Sequence, residues 1–443
     1  MKRLTTFVAL SFLTAAFAIA QSPTPLPSSA GTAYAVKAGR LIDPETGSAA
    51  SNQVIVVRDG RITAIGSNVS IPHDAEVIDL SQLTVMPGMV DAHTHLAMTM
   101  KRGQDNALYA AYITQSTALR AIEAASNGMQ MLSAGFTVVR DMGNAALYAD
   151  TALRQAIEGG WIPGPTVINA GAIIGPRGGQ FSPTPEMELQ HHIVEPEYLE
   201  ADTPDEIVKA IHRNLLFGAK LIKVCVDCKP YGYSLDDLKI FVREATNAGV
   251  HVAGHVQTEE GARRAIEAGF WSIEHDTALT DAVHKLMAEH HTWRVGTEAP
   301  FTSNEGSQAA FDRTVAGIKD AYANHVQMAF STDISSYVPG MTRGERAITY
   351  LQPWKASGLP NAEVLKILTI NGYKVAGIYD QRGPIKVGFP ADFIAVKGNP
   401  LEGLDALKQV VFVMKDGLVF KRDGVMTPEK FLHGGPVNGW NLP

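Results

Sequence analysis

The sequence predicts an α/β protein: a closed (β/α)8 barrel carrying a small β-sandwich built from both chain ends. Three observations predict it. Extended apolar runs alternate with helical patterns through the middle of the chain. With the run that ends in "DAHTH", these make eight strand–helix units. Two β-rich stretches of similar texture flank that middle. Alternation on this scale argues for a parallel sheet, and eight units argue for closure.

The elements follow in chain order. Residues 1–20 read as a secretory signal peptide. Lys2 and Arg3 precede the apolar run 7–20, and Ala18-Ile19-Ala20 is a small-x-small cleavage site. The run is short for a bilayer span. The expected mature protein is therefore exported, periplasmic or secreted, and not membrane-bound. Residues 21–33, rich in Ser, Pro and Thr, read as a flexible leader. Residues 34–84 form the first part of the β-sandwich. "QVIVVRDGRITAIG" holds two strands around Asp59-Gly60, a strong hairpin signal. Residues 383–443 form the second part and the tail, with Asp416-Gly417 as another hairpin turn.

Residues 85–382 form the barrel. After its first strand, further strands are expected at 136–141, 166–171, 221–226, 251–256, 272–276, 292–297 and 327–333. One helix spans 117–135, with Leu119, Ile122, Met129 and Leu132 at helical spacing. Another starts at Thr203 as N-cap, with Pro204 at the first helical position and Glu206 completing a capping box. A third, 234–249, ends on a glycine. The stretch 174–201 has no clear period, and loops of that length are usually functional or lids.

The 443 residues are 45% apolar and 19% charged, an ordinary globular composition. A net charge of −7 and the lack of a basic stripe exclude a nucleic-acid partner. The cysteines, Cys225 and Cys228, have the C-x-x-C spacing of redox motifs. No thioredoxin-like helix start follows the first, and a zinc knuckle would need a second ligand pair. The default expectation is two small apolar fillers, with a disulfide open to an exported protein.

Chemistry in such a barrel gathers at the C-terminal ends of the strands. Strand 1 ends with His93 and His95, which share a face at i and i+2. Lys223 sits inside the apolar run "LIKVCV". His255, His275 and Asp333 end strands 5, 6 and 8. Imidazole and carboxylate suit zinc and similar divalent ions. A buried ammonium is costly and would repel a cation. A neutral lysine amine can instead add carbon dioxide, giving an anionic carbamate whose two oxygens bridge two metals. Singly, each residue reads as a core histidine or a snorkelling lysine. Together, at strand ends of one barrel, they argue for a metal site. Asp333 is the single carboxylate of the set and the natural proton shuttle.

The segments "DAHTH", "AKLIKV", "VAGHVQTEEGARRAIEAGFWSIEHD" and "FSTD" resemble the amidohydrolase superfamily. Within it, "GFTVVRDMGN" and "GWIPGPTVINAG" are similar to the binuclear metal dipeptidases and carboxypeptidase-like amidases. That branch includes Xaa-Pro dipeptidases, imidazolonepropionase relatives and ochratoxin-hydrolysing amidases. The resemblance covers residues 33–432. It implies that His93, His95 and Asp333 bind one metal, His255 and His275 the second, and carboxylated Lys223 bridges them. It further implies two divalent ions, zinc above all, holding a hydroxide as nucleophile, with Asp333 moving its proton to the departing amine. The implied substrate is a small-molecule amide or dipeptide, and the superfamily implies a homo-oligomer.

One departure stands out. Where the branch often carries Gly-Gly-His after strand 3, this chain has "GPRGGQFSP", with Gln180 in place of the histidine. A neutral amide cannot shuttle a proton, so the pocket is expected to be altered there. A substrate carboxylate would need donors near the metals. Arg177, Tyr231 and Tyr233 are candidates, with Gln180 as a further substrate contact. Arg140 is another candidate donor or an internal partner of Asp141. The expected reaction is hydrolysis of a dipeptide, an N-acyl amino acid or a similar carboxy-terminal amide, ochratoxin-like aromatic amides included. The alternatives are a cyclic-amide or lactone hydrolase on the same metals, and a non-catalytic exported binding protein.

Overall fold

Asp-Gly pairs turn the chain where the sequence places hairpins. Asp59 and Gly60 have φ of 51° and 80°, and Asp416 and Gly417 have 51° and 72°. Positive φ at both central residues is what a two-residue type I′ hairpin requires. The computed structural model describes residues 31–101, 107–143, 145–181, 192, 194–228, 231–275, 279–302 and 307–427. The expected signal peptide, most of the leader and the tail beyond 427 lie outside the described residues.

Both chain ends build one eight-stranded sheet. Its order is Val425–Met426, Leu418–Arg422, Val410–Lys415, Phe393–Val396, Glu76–Pro87, Ala33–Asp43, Ser48–Arg58 and Arg61–Gly66. The antiparallel pairing of Glu76–Pro87 with Phe393–Val396 stitches the N-terminal part to the C-terminal part. The expected two-layer sandwich is one continuous sheet that curls. Ile62 N–H donates to Phe389 O, and Ala391 N–H to Gly60 O, bringing one edge back to the middle. Val36, Ile55, Val57, Phe393, Phe412 and Met414 are buried inside the curl.

The chain leaves this sheet through Pro87-Gly88. A Cβ on Gly88 would lie 2.0 Å from Thr137 Oγ1, so only glycine lets the two strands approach there. Met89–Thr94, Phe136–Asp141 and Thr166–Asn169 form a parallel three-stranded sheet. Tyr198–Glu200, Ile173–Gly175, Leu221–Cys225, His251–His255, Ser272–Glu274 and Trp293–Val295 form a parallel six-stranded one, in that order. The α/β class and six of the seven later barrel strands therefore appear as expected. The seventh, 327–333, is not a strand. It touches its neighbours through an isolated bridge between Arg294 and Met328 and through Ala92 N–H to Phe330 O. The backbone N–H of Thr332 is shared between the Asp91 carboxylate and His93 O, and Asp333 turns left-handed at φ 54°. The parallel strands are accordingly two open sheets, with these few bonds between them.

Helices follow the strands. Thr203 and Ser234 both form capping boxes, with Glu206 and Asp237. Helix Thr117–Ser133 occurs as expected and buries Leu132, but its other expected apolar positions face outward. Leu119, Ile122 and Met129 are 44%, 69% and 37% exposed, whereas Arg120, Asn127 and Met131 are buried. The reason is local: Arg120 Nε donates to Ala97 O, and Asn127 Nδ2 to Leu96 O. Buried polar side chains that satisfy loop carbonyls are retained in a core. Among the described residues, no helix is long and apolar enough to cross a membrane.

Cys225 and Cys228 are joined as a disulfide, with Cα atoms 5.7 Å apart. This corrects the expectation of two unlinked fillers. Strand Leu221–Cys225 ends in a tight turn, which returns the second sulfur to the first.

Candidate metal centre

The strand Met89–Thr94 is wholly buried, so its period of two sends Asp91 and His93 to one side. Asp91 takes hydrogen bonds from Thr332 N (3.1 Å), Thr332 Oγ1 (2.6 Å) and His93 N (3.1 Å). Asp333 N–H donates to His93 O at 2.7 Å. These bonds pin residue 333 beside residue 93, although 240 positions separate them in the chain.

Four imidazoles are successive neighbours. Ring centroids are 5.3 Å apart for His95 and His93, 4.9 Å for His93 and His275, and 4.5 Å for His275 and His255. Asp333 Oδ1 lies 3.0 Å from His95 Nε2 and 3.6 Å from His93 Nε2, and its Oδ2 lies 3.9 Å from His275 Nδ1. Lys223 Nζ lies 3.4 Å from His93 Nε2. The structure thus brings together all six side chains that the sequence singled out.

The donor chemistry fits a cation. His93 Nδ1 donates to Glu274 Oε2 at 2.7 Å, and His95 Nδ1 to Gly143 O at 2.8 Å. Each bond fixes the ring and turns Nε2 toward Asp333, the orientation ligating histidines adopt. Donor atoms of His93, His95 and Asp333 all lie within 4.8 Å of one another, so one ion could be held there. Cys225, Cys228 and His255 form a second such group, but the disulfide engages both sulfurs.

Burial sets the charge states. It pulls the pKa of His93 and of His275 down to about 3, helped at His93 by the Lys223 ammonium. Burial, with the neighbouring His275, also holds His255 well below its ordinary value. Neutral imidazole is the ligating form. His95 goes the other way: burial opposes its charge, but its hydrogen bond to Asp333 outweighs that. Burial also pulls the Lys223 ammonium down to about 8. For Asp333, burial works against ionisation, yet the hydrogen bond from His95 and the nearby imidazoles hold it below the usual carboxylate range.

Three non-glycine residues here are left-handed: His275 at φ 69°, Thr297 at 53° and Asp333 at 54°. Such backbone costs on the order of 1 kcal/mol per residue and persists where its surroundings enforce it. His275 Nδ1 lies 2.9 Å from Thr297 Oγ1, so two of the three brace each other.

Glu274 is the residue that sequence reasoning missed. It is fully buried and accepts from His93 Nδ1, Arg140 Nη2 (3.0 Å) and Ser272 Oγ (2.5 Å). Burial would raise its pKa, but Arg140 first and His93 second hold it well below the usual range. Arg140 thus pairs with Glu274 rather than with Asp141 or a substrate. A glutamate inside the short strand "SIE" was the available signal.

The expected substrate donors are engaged elsewhere. Tyr231 OH donates to Asp202 Oδ1 at 3.1 Å, Arg177 Nε lies 3.5 Å from Glu200 Oε2, and Tyr233 OH donates to Ala201 O at 2.7 Å. All three serve the 200–202 segment, because that segment carries acceptors beside them. Gln180 does reach the cluster: its amide nitrogen lies 3.3 Å from His255 Nδ1.

A sequence profile described as the amidohydrolase family matches residues 84–420. Ochratoxinase of Aspergillus niger is 28% identical over 440 residues, spanning 88% of this chain and 87% of its own. The crystal structure of a Xaa-Pro dipeptidase with bound methionine in the active site is similar at a TM-score of 0.76. It is 28% identical, and 88% of this chain and 100% of that one are covered. A prolidase complexed with N-methylphosphonate-L-proline superposes at 0.73 with 25% identity, over 88% and 100%.

Glu274→Gln keeps the shape of the His93 contact and removes its charge. The expected result is a loss of zinc affinity of about 10- to 100-fold, measured by competition with a chromophoric chelator. Affinity within about twofold of wild type would show that Glu274 does not orient His93.

Proposed function

This chain belongs to the amidohydrolase family, and from that premise we propose that it hydrolyses the amide bond of a dipeptide, an N-acyl amino acid or a similar carboxy-terminal amide. Aromatic amides of the ochratoxin kind fall within this class. It is a hydrolase of amide C–N bonds. The observation that carries the reading is the cluster of His93, His95, Asp333, Lys223, His255 and His275, in which donor atoms of His93, His95 and Asp333 lie within 4.8 Å of one another. The likeness to ochratoxinase, to a Xaa-Pro dipeptidase and to a prolidase supports the choice of amide. Two open parallel sheets joined by the 328–330 segment support a (β/α)8 barrel as the frame.

In this proposal His93, His95 and Asp333 would hold one divalent cation and His255 and His275 a second, with Lys223, as its carbamate, completing the ligand set. When bound, zinc would supply Lewis acidity, polarising the carbonyl and bringing the pKa of water toward neutrality. The chain's own residues do the remainder. Asp333 stays ionised beside three imidazoles, so an oxygen of its carboxylate accepts the proton of the attacking water. The same atom returns that proton to the amine nitrogen as the C–N bond breaks. The left-handed backbone at 333 and the bond from its N–H to His93 O hold the carboxylate in place. Glu274, itself held by Arg140, orients His93 from behind, while burial keeps that imidazole neutral.

Lys223 is suited to carbamate formation because burial favours its neutral amine. At a pKa of about 8, roughly one molecule in ten is neutral at pH 7, against far fewer for an ordinary lysine. We also propose export: residues 2–20 carry the signal pattern, and a disulfide suits an oxidising compartment.

Three outcomes follow. Asp333→Asn should fold and retain most metal, while turnover of N-acyl-phenylalanine falls by about 100-fold or more; activity within tenfold of wild type overturns the proton assignment. Metal-free protein in 13C-bicarbonate should show a carbamate carbon resonance that grows as pH rises through about 8, since the neutral amine is the reacting form. The same resonance in Lys223→Ala would exclude this lysine. N-terminal sequencing of protein recovered from the exporting host should begin at Gln21, and retention of Met1 would end the export proposal.

A further inference from the structure

A cavity of about 1020 Å³ opens beside the imidazole cluster. His255, His275 and Asp333 line it together with the helix Gln308–Ala323. Ala310, Arg313, Thr314, Gly317 and Asp320 of that helix line the space. Their spacing of three and four is that of one helix face, so Arg313 belongs to a surface aimed at the cavity. The volume lies at the upper end for small-molecule sites.

Charge then singles out one residue. Arg313 is the lysine or arginine among the cavity's lining residues. It is exposed, and its guanidinium has no ion pair or hydrogen bond among the described residues. The nearest carboxylates on its own helix are occupied. Asp312 accepts from Gln308 Nε2 at 2.7 Å, and Asp320 from His284 Nδ1 at 2.5 Å. Arg177, Tyr231 and Tyr233, the donors expected from the sequence, serve the 200–202 segment instead. A cavity lined by both a metal-type donor cluster and an uncommitted guanidinium is matched to a substrate with two polar groups. One is a scissile carbonyl and the other an anion.

Resting on the function proposed above, we propose that Arg313 is the specificity-determining anchor for the free α-carboxylate of the amino acid released by hydrolysis. Its planar fork of N–H donors grips a carboxylate through two parallel hydrogen bonds, a geometry lysine cannot reproduce. The apolar wall from Leu279, Ala299 and Val256 receives the side chain of that amino acid. The carbonyl then falls on the His275–Asp333 side. An exopeptidase-like preference results: amides with a carboxylate next to the cleaved nitrogen are favoured over otherwise equal amides without one.

The test compares N-acyl-L-phenylalanine with N-acyl-2-phenylethylamine, which lacks only the carboxylate, on zinc-loaded wild type, Arg313→Met and Arg313→Lys. Wild type should favour the carboxylate. In Arg313→Met, KM for that substrate should rise by about 10- to 100-fold with kcat little changed, and the second substrate should be unaffected. Arg313→Lys should recover part of the loss. Calorimetric binding of L-phenylalanine to the same three proteins gives a readout without turnover and should weaken in the same order. Equal substrate ratios and equal phenylalanine affinity in wild type and Arg313→Met overturn the anchor. If wild type cleaves neither substrate, the amide reading fails, and the calorimetric comparison still decides for or against Arg313.

Discussion

The hydrogen bond from His93 to Glu274, itself held by Arg140, is the constraint on which the centre rests. Six titratable side chains converge where burial penalises every charge. Such a group is stable in place only if each member is neutral, paired or ligating. Arg140 neutralises Glu274, Glu274 fixes the His93 tautomer, and His93 then faces Lys223 and Asp333 with a lone pair. Without the guanidinium, the carboxylate behind His93 would lose its reason to ionise. The tautomer would then be unfixed.

Backbone geometry extends the same logic. The Asp91 carboxylate accepts Thr332 N–H and Oγ1–H, and Thr332 N–H also reaches His93 O, so side chain and backbone together fix the end of the 327–333 segment. Asp333 is thereby delivered in a left-handed conformation next to His93. His275 and Thr297, also left-handed, brace each other one strand away. Strain therefore gathers at the residues that face the cluster, where mutual hydrogen bonds can sustain it. A regular eighth strand would direct its side chains alternately to either face and leave 333 without this placement.

The two units of the chain are also tied by buried charge. Arg382 pairs with Asp392 at 2.9 Å and Asp416 at 2.8 Å and donates to Thr166 Oγ1 at 2.7 Å. One side chain thus links the returning segment, the curled sheet and a strand of the parallel sheet. Removing one partner of such a buried set leaves an uncompensated charge, and that penalty enforces the geometry. Together with the pairing of Glu76–Pro87 and Phe393–Val396, this makes the terminal strands a base for the parallel sheets.

The sequence by itself determined the strand–helix alternation, the Asp-Gly hairpins, the capping box at Thr203, and the six residues of the cluster. These are local or periodic properties: a turn needs particular φ values, a strand end presents its last residues, and a lysine in an apolar run stands out. Tertiary structure alone decided four things. It decided which face of helix Thr117–Ser133 is buried, because distant loop carbonyls claim Arg120 and Asn127. It decided that Cys225 and Cys228 join, that Arg140 serves Glu274, and that Arg177, Tyr231 and Tyr233 serve the 200–202 segment. Arg313 became visible only once its helix and the imidazoles lined one cavity. The physical reason is common to all of these. A polar side chain takes the partner that folding brings within about 3 Å, and linear spacing does not encode that distance.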